Sequence, residues 1–267
     1  MEVREARERL AALLDNMAKE RRTVTFFFRD DDVGKWDEPL AHLVDLFLTR
    51  QAPLNLAIIP ARIDSASARH LMALKNRWPE LLCYSQHGYR HANYAAVGKK
   101  SEFPPGRSLE EQLSDVKAGM EVLRAALREA FFPAFTPPWN RCSPTTLDAL
   151  AILGFRVISC DTPLVGAIQR GLMEMPVTLD ILHRTTDGRW LGREHRGIVG
   201  ELSEQVKQLM SPGIMLHHQH MKDDCFDFLG GLLEVLYGHP AVRVISFEHA
   251  VEISKRNAIR DIENRSR

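Results

Sequence analysis

Several features that would place a protein in a class at once are absent from this chain. No apolar run in its 267 residues approaches the ~18 residues of a membrane-spanning helix. No GxGxxG or GxxxxGK[ST] follows an apolar run, which takes weight from the nucleotide-binding sheets. Charge of one sign is lacking too. Lys+Arg 35 and Asp+Glu 35 cancel to a formal net charge of +0, with a pI of about 7.2. Neither nucleic acid nor an anionic membrane is therefore expected as a partner. Cysteine is scarce, and Cys83, Cys142, Cys160 and Cys225 show no CxxC spacing, so free thiols are expected. The first residues, MEVREARERLAALLDNMAKERR, carry charge throughout. They lack the ~7–15-residue apolar core of a signal peptide. They read as an amphipathic helix over 1–22, and the expected location is cytoplasmic.

What is present is ordinary globular composition, with 45% hydrophobic and 26% charged residues. Short β-forming runs alternate with helical patterns along the whole length. Strands are expected at Val24–Phe28, Leu54–Ile59, Leu81–Ser85, Phe131–Phe135, Phe155–Ser159, Gly213–Leu216 and Val242–Ile245, with a weaker one at Met175–Leu182. Helices fall between them. Ser108 and Glu111 form a capping box, Pro144 follows a capping Ser143, and Gly154 stops that helix. A further helix is expected at Leu202–Met210. Seven or eight such repeats without a linker imply a parallel sheet covered on both faces. At a length near the ~250 residues of one α/β barrel, the expected fold is α/β, a single distorted (β/α)7–8 barrel.

Active sites of such barrels lie at the C-terminal ends of strands, and there the reactive residues collect. Asp30-Asp31-Asp32 follow the first strand. His87 and His91 follow the third, Pro137-Pro138-Trp139-Asn140 the fourth, Asp161 the next, and His217-His218-Gln219-His220 the strand ending at Leu216. Adjacent carboxylates repel unless cations or donors compensate. The i, i+4 histidines share a side if they occupy one helical turn. Two imidazoles and one carboxylate suit zinc, iron, cobalt or nickel better than calcium or magnesium, and leave positions open for water and substrate. A histidine opposite such a centre can pass a proton to a leaving amine.

In order along the chain, these stretches resemble the motifs of the polysaccharide deacetylase superfamily, also called the NodB-homology or carbohydrate esterase 4 group. Phe28-Arg29-Asp30-Asp31-Asp32-Val33-Gly34 resembles its TFDDG motif. His87-Gly88-Tyr89-Arg90-His91 resembles H-S/T-x-x-H, and FTPPWN (Phe135 to Asn140) a proline-rich third motif. Asp161 resembles its fourth-motif acid, and Met215-Leu216-His217-His218 its L-x-H-D. The resemblance implies metal-dependent hydrolysis of an N-acetyl group. Asp32, His87 and His91 would hold a divalent metal, zinc first, with iron, cobalt or nickel as alternatives. Asp31 would be the general base, His217 or His218 the general acid, and the Trp139 N–H a donor to the oxyanion.

Pro138, Trp139, Asn140 and Asp161 are the expected substrate-binding residues. The third-motif arginine that steadies the base has no counterpart, and Arg29 and Arg141 are the candidates to replace it. The triple aspartate also allows Asp30-Asp31 as the operative pair. The expected partner is a small N-acyl sugar or related amide. A cyclic ureide hydrolase and a catalytically inactive sugar-binding barrel are the competing readings. The roughly twenty-residue loop from Gly88 to Arg107, far longer than the usual ~4–6, is expected to wall or cover the site.

Overall fold

The run expected as a strand at Val24–Phe28 is the first half of a longer one, β1 (Val24–Val33), which carries the polar RDDD as well. The structure, a computed structural model, describes residues 2–208 and 210–265. Met1 of the expected N-terminal helix, Leu209 of the expected Leu202–Met210 helix, Ser266 and Arg267 lie outside the described residues. Helix α1 (Glu2–Lys19) precedes β1. The chain continues through α2 (Glu38–Thr49), β2 (Leu54–Ile58), α3 (Ser65–Arg77), β3 (Leu82–His87), α4 (Leu109–Leu127), β4 (Phe131–Thr136), α5 (Pro144–Ile152) and β5 (Val157–Ile158). Its second half holds β6 (Met173–Glu174), β7 (Leu179–Asp180), β8 (Leu182–Arg184), β9 (Trp190–Gly192), α6 (His195–Lys207), β10 (Gly213–Leu216), α7 (Asp223–Leu236), β11 (Val242–Val244) and α8 (Phe247–Arg265).

Local chemistry sets the helix starts. Asp37 accepts from the Leu40 N–H at 2.9 Å and opens α2, whose Leu40, Leu43, Val44, Phe47 and Leu48 face is buried. The Ser108–Glu111 capping box opens α4 as expected. Helix α5 starts on Pro144 and stops before Gly154, whose φ of 74° an L side chain rarely adopts.

Every pair in the large sheet is parallel, in the order β6-β5-β4-β3-β2-β1-β10-β7. Its two ends are one stretch of chain. The Met175 and Val177 N–H groups donate to the carbonyls of Ile158 and Cys160, and the Thr178 N–H donates to Gly213. Residues 173–180 thus act as a single stave between β5 and β10. The barrel closes through chain continuity, with β1, β2, β3, β4, β5, this stave and β10 around it. β11 pairs only with the Val24–Phe26 end of β1, an eighth, partial position. The expected Met175–Leu182 strand is therefore this stave shifted toward the N-terminus, and Leu182 opens an antiparallel hairpin with β9 instead.

Two apolar layers follow from the alternation of side chains along strands. Phe27, Cys83, Ala134, Val157, Met175 and Val177 fill the barrel bottom, and Phe247 and Val251 of α8 plug it. The larger cluster, including Phe26, Phe28, Leu56, Tyr84, Phe135 and Leu216, packs the staves against the helices. Gly213 leaves room for the Phe27 ring; a Cβ there would overlap that ring and the Pro176 carbonyl oxygen. Gly213→Ala is expected to destabilise the protein by about 1–3 kcal/mol through overpacking, read from the midpoint of urea unfolding.

Candidate active site

Strand alternation sends Phe27, Arg29 and Asp31 of β1 to the barrel interior and Phe28 and Asp30 to the helix side. The three aspartates consequently part company. Asp30 is fully buried and accepts from the His218 N–H at 2.9 Å and faces His218 Nδ1 at 2.6 Å. Asp31 is gripped by Arg29, with Nε and Nη2 each 2.8 Å from one carboxylate oxygen. At Asp32 the strand bulges, with φ 62° and a register shift against β2. That break turns a third consecutive side chain into the barrel mouth.

Asp32 Oδ1 meets His87 Nε2 at 3.1 Å and His91 Nε2 at 2.9 Å. His87 ends β3, and its Nδ1 lies 3.0 Å from the Thr136 carbonyl. A proton on Nδ1 satisfies that bond; Nε2 then donates to Asp32 when the ring is doubly protonated, and keeps its lone pair for a metal ion when the ring is neutral. Burial alone would raise the Asp32 pKa, but the hydrogen bonds and charges of both histidines hold it well below the usual carboxylate range. Burial likewise disfavours a charged His87, yet the bond to Asp32 and the charges of Asp31 and Asp32 raise its pKa. One carboxylate and two imidazoles with donor atoms within 4.8 Å of one another fit a divalent ion of the zinc type.

The spacing of the two histidines is realised without a helix. Gly88 and His91 both take left-handed backbone, each with φ 57°. The turn they make closes on a residue with no motif to announce it, the fully buried Glu102. Its carboxylate accepts from the N–H groups of Tyr89 at 3.2 Å, Arg90 at 2.7 Å and His91 at 3.3 Å. The long loop after β3 is thus folded back on its own start, and a bridge between Phe103 and Cys142 pins it to the connection after β4.

Arg29 is 0% exposed and spans the barrel. Besides Asp31 it donates to the Ser159 carbonyl at 2.9 Å and hydroxyl at 2.8 Å, and to Asn140 Oδ1 at 2.7 Å. It occupies the place expected for Arg29 or Arg141. The Arg141 side chain instead reaches the Lys100 carbonyl.

A cavity of about 690 Å³ opens over these groups, lined by Asp31, Asp32, His87, His91, Trp139, Asn140, Asp161 and His217. Two expected residues are elsewhere. His218 faces the helix side because it is one residue from the inward His217. It pairs with Asp30, whose charge and hydrogen bond outweigh burial and raise its pKa, and it borders a separate depression with Asp37. The expectation of His218 as a proton donor is corrected accordingly. Pro138 is buried, packed where a Cβ on Gly88 would fall, and shapes the turn rather than the cavity. That turn holds Trp139 and Asn140 at φ 57° and 55° and brings the Trp139 ring to 4.4 Å from that of His91.

The cavity also contains residues the sequence did not single out. Trp190 of β9 stacks on His220 with ring centroids 5.1 Å apart and lies 4.6 Å from the tilted ring of His217. The carboxylate beside His217 is Asp180, 3.8 Å from its Nδ1, while Asp161 lines the same cavity as expected of a substrate-binding residue. Burial pushes the Asp180 carboxyl up to about 6, against the opposing charge of His217. Asp180 ends β7; the strand expected at Met175–Leu182 runs two residues past it, so Asp180 falls inside that strand rather than at its end.

No protein-family model and no curated protein sequence matches the chain. Solved structures do match in shape. A Mycobacterium smegmatis protein assigned as a polysaccharide deacetylase is 15% identical with a TM-score of 0.64, over 82% of this chain and 78% of that one. A family 4 acetyl xylan esterase from Clostridium thermocellum, in complex with a cobalt ion, is 14% identical with a TM-score of 0.53, over 87% and 91%. The peptidoglycan deacetylase PdaC of Bacillus subtilis is 9% identical with a TM-score of 0.52, over 91% and 96%. The chain has the polysaccharide deacetylase fold.

Two predictions follow from the geometry. Glu102→Ala leaves three loop amides without their acceptor and is expected to weaken zinc binding about 10- to 100-fold, measured by competition with a chelating dye. Asp180 binds its proton more tightly folded than unfolded, so its contribution to stability is lost as pH rises from about 4 through 6. Relative to the native chain, Asp180→Asn should therefore gain roughly 2 kcal/mol between pH 4 and pH 7, read from denaturant unfolding at each pH.

Proposed function

We propose that this protein is a metal-dependent hydrolase that removes an N-acyl group from an amino sugar or a related small amide. The observation carrying this reading is one cavity that joins a two-imidazole, one-carboxylate donor set to a guanidinium-clamped carboxylate and an inward histidine. Proteins of the same fold described as deacetylases and as an acetyl xylan esterase support acyl hydrolysis as the reaction class.

Asp32, His87 and His91 hold the metal, zinc being the first choice for this donor set. Once bound there, the ion supplies Lewis-acid polarisation of the acyl oxygen. Asp31 accepts the proton of the attacking water. Its orientation is fixed by two parallel bonds from Arg29, which use one lone pair on each oxygen and leave one on each free to accept, with Asp31 lining the cavity. His217 passes a proton to the departing nitrogen, and its ring is held by the Trp190 face with Asp180 nearby. The Trp139 N–H contributes to holding the oxyanion, and Asn140 and Asp161 border the substrate. Arg29 removes the strongest ground for an inactive barrel, which was the missing third-motif arginine.

The test is acetate release from N-acetylated sugars by the zinc-loaded protein. Asp31→Asn and His217→Ala are each expected to lower turnover by about 10²–10⁴-fold while zinc stoichiometry is kept, whereas His87→Ala should lose the zinc. Native turnover in both Asp31→Asn and His217→Ala, or equal zinc content in His87→Ala and the native chain, would overturn the reading.

A further inference from the structure

The active cavity carries more positive charge than the chemistry above employs. Lys100, Arg141 and Arg184 all line it. Among the described residues none of the three has a carboxylate partner; Arg141 and Arg184 donate only to carbonyls, of Lys100 and Gly188 at 3.1 Å each. The acids of the same cavity are mostly committed. Asp31 belongs to Arg29, and Asp32 to the two imidazoles. Asp161 alone is left without a cation among the described residues, against three cations and a divalent ion when bound.

One of these cations, Arg141, is built into the wall, and the backbone of Lys100 holds it there. Arg141 Nη1 donates to the Lys100 carbonyl, Ser101 Oγ returns a bond to the Arg141 carbonyl at 3.2 Å, and the Phe103–Cys142 bridge continues the seam. The connections after β3 and β4 are stitched together here. Half-buried Arg141 is held at the seam, with Nε and Nη2 lacking a partner among the described residues. A guanidinium with that edge free presents the parallel donor pair that binds carboxylate or phosphate bidentately. Arg141 and its neighbour Asn140 also line a second cavity, of about 800 Å³, walled by Tyr94, Pro104 and Pro105. The two cavities meet at this seam, next to Trp139 and the histidines.

We propose that Arg141 and Lys100 form an anion subsite, so that the substrate is an N-acyl amino sugar bearing a carboxylate or phosphate rather than a neutral polymer. This rests on the deacylation reading and adds the substrate's charge to it. Placing the anion at the seam lays the acyl group toward Asp32 and Asp31 and the remainder of the molecule toward the second cavity. Arg184, on the hairpin that carries Trp190, adds positive potential from that hairpin without being part of the pair.

The experiment uses the zinc-loaded full chain. Binding by calorimetry and kcat/KM by acetate release are measured for N-acetylglucosamine, its 6-phosphate and N-acetylmuramic acid. One of the two acids is expected to bind and react about 10- to 100-fold better than the neutral sugar; which one identifies phosphate or carboxylate as the group read. The preference should shrink as salt rises. It should fall at least several-fold in Arg141→Met and in Lys100→Met, and be partly kept in Arg141→Lys, with melting temperatures showing that each variant is folded. Equal treatment of neutral and acidic sugars, no binding of either acid at millimolar concentration, or a preference that survives both Met variants overturns the anion subsite. Arg141-dependent binding of an acid without any acetate release would keep the subsite and overturn the deacylation reading. Efficient but charge-blind deacylation would do the reverse.

Discussion

A guanidinium buried in the middle of a barrel is the constraint from which the rest of this structure follows. An unpaired buried charge costs several kcal/mol, and such a group persists only when its bonds are nearly all made. Arg29 makes them to parts of the chain that have nothing else in common: Asp31 two residues on, Ser159 beyond β5, and Asn140 in the turn after β4. It also lies 3.1 Å from the Met215 sulfur in β10. The barrel below it is apolar and plugged by Phe247; the cavity above it is polar. Arg29 marks the boundary between the two and aligns Asp31 at that boundary.

The same economy governs the three aspartates. Crowded together in water they would only repel, but the barrel gives each its own counter-group. Asp30 leaves for the helix side and finds His218, Asp31 stays inside with Arg29, and Asp32 is turned by a bulge toward two imidazoles. Bulges are typical where a strand must re-aim a side chain at a site. Here one bulge places two consecutive carboxylates on the same cavity, which a regular strand cannot do.

The walls of the cavity are as constrained as its floor. Glu102 ties the turn that carries His91, and the Arg141–Lys100 seam ties that loop to the next one. A loop held in this way is a fixed wall, and it fixes the Arg141 guanidinium at the cavity. On the other side, the β8–β9 hairpin brings Trp190 against His217 and His220. The likeness to solved structures of 15% identity or less is one of fold; these wall contacts are read from this chain's own residues.

Much was legible in the sequence because it depends on local rules. The alternation of strands and helices, the Ser108–Glu111 cap, the stop at Gly154 and the placing of Asp32, His87 and His91 at strand ends all rest on periodicity or spacing within a few residues. Strand alternation even required that only one of His217 and His218 point inward. What the sequence could not say was which face of β1 looked into the barrel, so it could not separate Asp31 from Asp30 or choose between Arg29 and Arg141. Glu102 and Asp180 were invisible for a related reason. Each acts on a partner 11 or more residues away in sequence, and nothing local distinguishes a carboxylate that will be buried against three amides from one left in water. Chain composition and order determined a barrel with a metal-type donor set at its mouth. Only the closing of the staves decided which charges face one another, because pairing between distant residues is a property of three-dimensional distance and not of spacing along the chain.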